Sequence, residues 1–141
     1  MEVRPALDAA ERDAALGLRE RVFCDEQGVS ADAERDGRDR EALHLVAVDD
    51  GRVVGTCRLL FRDRVALLGR LAVESDLRRR GIGAALLTEA ARYARGHGAA
   101  RISLHAQLDA RELYAGAGYT ELGVPFVEEG IDHVTMEKQL A

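Results

Sequence analysis

A mixed α/β layer sandwich, an antiparallel meander followed by helix, strand, helix and strand, is the architecture implied by this 141-residue sequence. Three features carry that expectation. Apolar stretches at 44–48, 52–61 and 65–73 are joined by connections too short for a crossover helix, so they pair as antiparallel neighbours. After Val73 the apolar period lengthens to that of a helix, and a further extended stretch beyond it requires at least one parallel strand pair. The composition, 47% hydrophobic and 32% charged with formal net charge -5, suits one globular domain over 1–141 and not a disordered or low-complexity chain.

The first helix opens at Asp8, which can cap it with Glu11 at the capping-box position, and Ala14, Leu18 and Val22 recur at helical spacing before an end near 23–27. Residues 25–41 turn polar, with seven acids (Asp25, Glu26, Asp32, Glu34, Asp36, Asp39, Glu41) against three arginines (Arg35, Arg38, Arg40). This reads as a loop with room for a short helix. It could attract a cationic amine, although such runs are more often simply solvated surface. The meander follows, with Asp49-Asp50-Gly51 as a hairpin signal and Arg62-Asp63-Arg64 as the second turn.

Ile82, Ala85, Leu86, Ala90 and Tyr93 then mark one face of a long helix that stops at Gly96-His97-Gly98. A strand at 101–107 comes next. Asp109 with Glu112 offers a second capping box for a short helix through Leu113 and Tyr114, which ends around 116–118. Extended pieces near 119–122 and 131–137 complete the chain.

No apolar run approaches the roughly 20 residues that cross a bilayer, and the start lacks the apolar stretch of a signal peptide, so the expected location is the cytoplasm, without a membrane partner. Cys24 and Cys57 lie far apart in apolar surroundings and read as small core hydrophobes, not as a disulfide. His44, His97, His105 and His133 show no zinc-ligand spacing, so no metal is expected. His44 and His105 sit in strand patterns and read as satisfied, partly buried side chains; His97 suits a helix C-terminus. Net acidity with few aromatics argues against nucleic acid. A homodimer is compatible with the sequence.

The segment from Leu68 to Leu87 reads strand, basic turn, glycines, helix. Its physics is anion binding: the first turn of a helix leaves amides unpaired and carries positive partial charge, glycines admit a phosphate to the backbone, and Arg78, Arg79 and Arg80 add cations. A pyrophosphate site is the functional reading; a solvated turn before a helix is the plain one. A Walker loop fails because no Gly-Lys-Ser or Gly-Lys-Thr occurs. The dinucleotide fingerprint fails because its third glycine or alanine falls at Leu86 and its strand belongs to a meander.

Arg78-Arg79-Arg80-Gly81-Ile82-Gly83 resembles the [Q/R]-x-x-G-x-[G/A] turn of the GNAT superfamily of acyl-coenzyme A N-acyltransferases, and Leu113-Tyr114-Ala115-Gly116-Ala117-Gly118-Tyr119 resembles that family's downstream L-Y-x-x-x-G-[F/Y] element. Residues 21–29, the acidic loop and residues 128–133 are similar to a small bacterial branch whose acceptor is undefined. The resemblance implies a three-layer α/β/α fold. It also implies acetyl-coenzyme A as co-substrate and acetyl transfer to a primary amine of a small molecule or peptide, by direct attack in a ternary complex. A noncatalytic acyl-coenzyme A binding or sensing module is the competing reading.

By resemblance, the backbone of Leu71 and Val73 binds the pantetheine arm, and the Arg78–Ala84 turn, with the amides of Arg79, Arg80, Gly81, Ile82, Gly83 and Ala84, holds the pyrophosphate. Gln107 stands where the family often has an asparagine contact. Acyl transfer needs a neutral nitrogen, a polarised carbonyl and a stabilised thiolate, whereas an alkylammonium of pKa about 10.4 is protonated at neutral pH. Analogy gives the Val73 amide the thioester oxygen and Tyr114 the departing thiolate; an amphipathic aromatic packing its ring is the plainer reading of Tyr114, and its place in the second motif favours catalysis. Glu26 and His133 are the candidate bases, with His44 and Glu74 behind them and a water relay equally open. Tyr93 reads as core.

Overall fold

The computed structural model describes residues 1–140. Seven strands form one sheet in the order β1-β2-β3-β4-β5-β7-β6. They are β1 (Glu2–Pro5), β2 (Leu43–Asp49), β3 (Arg52–Arg62), β4 (Val65–Val73), β5 (Arg101–Gln107), β6 (Thr120–Glu128) and β7 (Ile131–Gln139). The meander pairs antiparallel as expected, and β4 with β5 is the parallel pair. β1 was not expected: four residues ending in Pro5 are too short for a period, and pairing with β2 makes them an edge strand.

Asp8 caps α1 (Ala9–Arg19), accepting from the Glu11 amide at 2.9 Å. The capping box does not close. The Glu11 carboxylate instead takes the Leu7 amide and both terminal nitrogens of Arg4, because β1 brings that guanidinium over the helix start. The helix continues as a π-helix through Glu20–Glu26, so its end falls where the sequence put it. Its buried face is Ala15, Leu18, Arg19 and Val22; Ala14 is exposed, one position off the stripe. The polar loop contains α2 (Ala31–Glu34), capped by Ser30. The Asp109 cap is likewise corrected: Asp109 lies within a 3-10 turn (Leu108–Ala110), and Ala110 precedes α4 (Arg111–Gly116) with no side-chain cap.

Helices cover both faces of the sheet. On one, Ala15 and Leu18 of α1 and Val22 of its π-helical continuation pack with Val46, Val53 and Ala72; on the other, α3 (Ile82–Gly96) buries Ile82, Leu86, Leu87 and Ala90 against Leu45, Ala47 and Leu59. Alternate residues of β2 thus feed opposite layers. Gly55 of β3 is where α3 comes closest, since a Cβ there would lie 2.8 Å from Ile82 Cγ2 and 3.0 Å from Leu86 Cδ1.

Two irregularities open the sheet. Between the pairs Thr56↔Ala72 and Arg58↔Gly69, β3 advances two residues while β4 advances three, so β4 bulges around Arg70, whose φ is 58°. β4 and β5 pair only at Val65↔Arg101, Ala66↔Ile102 and Leu67↔Ser103, whereas β5 stays paired with β7 from Arg101 to Gln107. Past Leu67 the two parallel strands separate.

Candidate active site

That separation leaves a cleft of about 1140 Å³, large enough for an extended ligand. Leu71, Val73, Gly81, Gly83, Gln107 and Tyr114 are among its lining residues. Both strand backbones are exposed to it in their unpaired stretches, so a third extended chain can take up the hydrogen bonds that β4 and β5 do not make to each other.

At one end lies the basic turn. A 3-10 turn (Ser75–Leu77) leads into Arg79 at φ 63° and Gly81 at φ 83°, and α3 starts with no side-chain cap. The first helical bond here runs from the Ala85 amide to the Gly81 carbonyl at 3.0 Å, so the amides of Ile82, Gly83 and Ala84 have no helical acceptor. Gly81 occupies the left-handed region that side chains avoid. The Ile82 side chain is buried in the core, leaving its backbone as what it can offer a ligand. Arg79 and Arg80 are exposed and form no salt bridge among the described residues. Free amides, cations and the positive end of a helix of this length make a fit for a diphosphate.

Arg78 differs from its neighbours. It donates through Nε to the Val73 carbonyl and through Nη2 to the Glu26 carboxylate, pinning the π-helix end to the turn. Glu26 therefore sits in an ion pair at the rim. Glu74 is held by Arg21 and Arg52, and the buried His44 donates through Nε2 to the Asp39 carbonyl.

Tyr114 enters the cleft from α4, 8% exposed, edge-on to Tyr119 at 6.0 Å. Burial pushes its phenol above the ordinary value, so the hydroxyl keeps its proton. Gln107 Nε2 donates to Gln27 Oε1 at 2.9 Å, tying the end of β5 to the segment after the π-helix.

His133 of β7 lies in the wall at 7% exposure, its Nδ1 donating to the Ile131 carbonyl at 2.7 Å and its ring stacked on Phe126. That bond leaves Nε2 as the lone-pair nitrogen. His105 is corrected from a partly buried residue to an exposed one, in contact with Glu128. The strand alternation of β5 could have shown this, because Leu104 and Ala106 take the core side.

The opposite wall carries a network the sequence did not reveal. Glu34, 2% exposed, accepts from Arg19 at 2.7 Å and from Arg70 at 3.0 Å; Arg19 also reaches Asp39, and Arg58 binds Asp36 and Asp39. Three acids of the polar loop are thus paired with arginines, Glu34 inside the fold and Asp36 and Asp39 nearer its surface, and the bulge residue Arg70 is anchored through Glu34 and Asp36.

The acetyltransferase (GNAT) domain model matches residues 7–140. The chain is 34% identical over 125 residues, covering 88% of it and 89% of the relative, to YjcF of Bacillus subtilis, described as an uncharacterized N-acetyltransferase. A crystal structure from Lactobacillus plantarum superposes with TM-score 0.91 at 33% identity, over 99% of this chain and 98% of that one. An acyl-CoA N-acyltransferase from Pseudomonas aeruginosa superposes with TM-score 0.86 at 27% identity, over 98% and 99%.

Proposed function

The chain belongs to the GNAT acetyltransferase family, and from that we propose that it transfers an acetyl group from acetyl-coenzyme A to a primary amine of a small molecule or peptide, by direct attack in a ternary complex. The observation that carries the reading is the junction of the β4–β5 separation with the uncapped start of α3, a groove for an extended thioester arm ending in a cradle for its diphosphate. The acyl-CoA named for the Pseudomonas relative agrees with it.

In this reading the backbone of Leu71 and Val73 acts as one side of a sheet toward the pantetheine arm. The turn Arg78–Ala84 takes the diphosphate, and Gln107 closes the far side. The Val73 amide polarises the thioester carbonyl, an interaction worth about 3 kcal/mol in comparable oxyanion sites. Tyr114, kept protonated by burial, donates its hydroxyl hydrogen toward the departing sulfur. A base must still generate the neutral amine; of the candidates from the sequence, Glu26 is engaged by Arg78 and His133 keeps Nε2 available.

The test is thiol release from acetyl-coenzyme A with a panel of amines, together with binding of coenzyme A and of pantetheine to Gly81→Asp. Selective loss of coenzyme A affinity is expected. Equal loss of both ligands contradicts the diphosphate cradle, and coenzyme A binding with no thiol release from any acceptor points to a binding module.

A further inference from the structure

The acetyl-transfer reading leaves open which group takes the proton of the acceptor and what acceptor the cleft suits. Along β5, Ile102, Leu104 and Ala106 are buried with α3 and α4, so Ser103, His105 and Gln107 turn to the other face, and all three line the cleft. The last parallel pair is Leu67↔Ser103, which puts His105 two residues beyond the point of separation, level with the start of the β4 bulge.

β7 and β6 complete the surroundings. Thr135 is the register partner of His105, and Phe126 lies edge-on to the His105 ring at 5.0 Å while stacking on His133 at 6.0 Å. Glu128 Oε2 accepts from His105 Nδ1 at 2.9 Å. A carboxylate in that place assigns the ring proton to Nδ1 and the lone pair to Nε2, and it stabilises any imidazolium that forms.

Charge distinguishes this wall from the one facing it. Glu34 and Asp36 are neutralised by arginines, whereas Glu128 and Glu129 have no arginine partner among the described residues. Uncompensated negative charge therefore gathers at the β6–β7 hairpin, where an ammonium is favoured.

We propose that His105, oriented by Glu128, is the proton acceptor for the incoming amine, and that the acceptor is a cationic primary amine bound beside the β6–β7 hairpin. The ammonium N–H bond breaks, its electron pair stays on nitrogen as the nucleophile, and a new N–H bond forms at His105 Nε2. The imidazolium faces the Glu128 carboxylate and afterwards releases its proton to solvent. His133 is less suited: its Nδ1 meets a neutral carbonyl and its ring is packed away on Phe126, so charge formed there has no carboxylate partner.

The assignment rests on the acetyltransferase reading, and one set of measurements separates the two. Thiol release with cationic amines is measured for the parent, H105N, H105A, E128Q and H133N, with coenzyme A affinity as the check on folding. Expected are a loss of about a hundredfold in kcat/KM for H105N with affinity within about twofold, about tenfold for E128Q, less than tenfold for H133N, and partial recovery of H105A by added imidazole. Parental rates in H105N, or preference for acceptors without a protonatable amine, overturn the assignment. A parent that binds coenzyme A and acetylates nothing overturns the transferase reading, and this one with it.

Discussion

Arg78 holds Glu26 and Val73 at once: Nη2 donates to both Glu26 carboxylate oxygens, at 3.1 and 2.8 Å, and Nε donates to the Val73 carbonyl at 3.1 Å. A side chain suited to a phosphate thus occupies the carboxylate that the sequence offered as a base, and steadies the strand end expected at the thioester.

Glu26→Gln distinguishes a rim contact from a base. The pairing predicts kcat within about threefold of the parent and coenzyme A binding tightened by up to about fivefold, the range of an exposed ion pair. A base would instead lose about a hundredfold in kcat. Steady-state kinetics with calorimetric coenzyme A binding reads both.

Tyr114→Phe removes a hydroxyl and keeps the ring against Tyr119. A drop of about ten- to a hundredfold in kcat is expected, with coenzyme A affinity unchanged, because the ring contacts that shape the cleft survive. Unchanged kcat would reduce Tyr114 to packing.

Glu34→Ala strips Arg19 and Arg70 of a shared partner, and Arg19 is 1% exposed. Asp39 stays with Arg19, so losing the buried member of this network should cost up to about 3 kcal/mol in urea unfolding, and a looser hold on Arg70 should relax the bulge and lower kcat. Acid probes two other paired carboxylates. The Arg58 hydrogen bond holds the Asp36 carboxyl well below its ordinary range, and Arg4 followed by the Leu7 amide lowers Glu11 to about 2. With folded values depressed, the stability they contribute is fully present above the unfolded values near about 4 and is lost as pH falls through the folded ones. The thermal unfolding midpoint should therefore be flat from pH about 6 to 5 as far as these groups act and fall below about 4, by less in Asp36→Asn, the fall being moderated because both carboxylates are open to solvent.

Gly55→Ala sets a methyl 2.8 Å from Ile82 Cγ2. Overpacking of this kind costs about 1–3 kcal/mol. Because Ile82 is the first residue of α3, the shift should also reach the turn, and coenzyme A affinity should fall together with the unfolding midpoint. Loss of stability alone would separate the helix seat from the cradle.

The meander, the long helix and the basic turn were legible because each is a local pattern: apolar alternation between short turns, a helical stripe, and glycines after arginines. The same locality misled at the edges of elements. Ala14 and Asp109 fit a spacing and a capping pattern, but the face that α1 turns to the core, through Ala15 and Leu18, and the 3-10 turn before α4 reassigned them. β1 went unseen because four residues carry no period, and β6 was cut short because Gly123 and Pro125 interrupt a strand that pairs on both sides of them.

The sequence by itself determined the order of the main elements from α1 onward, the uncapped helix start proposed for the diphosphate, and Tyr114 in its short helix. Only the tertiary structure decided the parting of β4 from β5, the bulge at Arg70 and the partners of each charge. Glu26 meets Arg78 across 52 residues, Gln27 meets Gln107 across 80, and His105 meets Glu128 across 23. Periodicity reports which conformation a segment prefers; whether two distant side chains share a wall depends on strand register and sheet twist, which arise only when the whole chain packs.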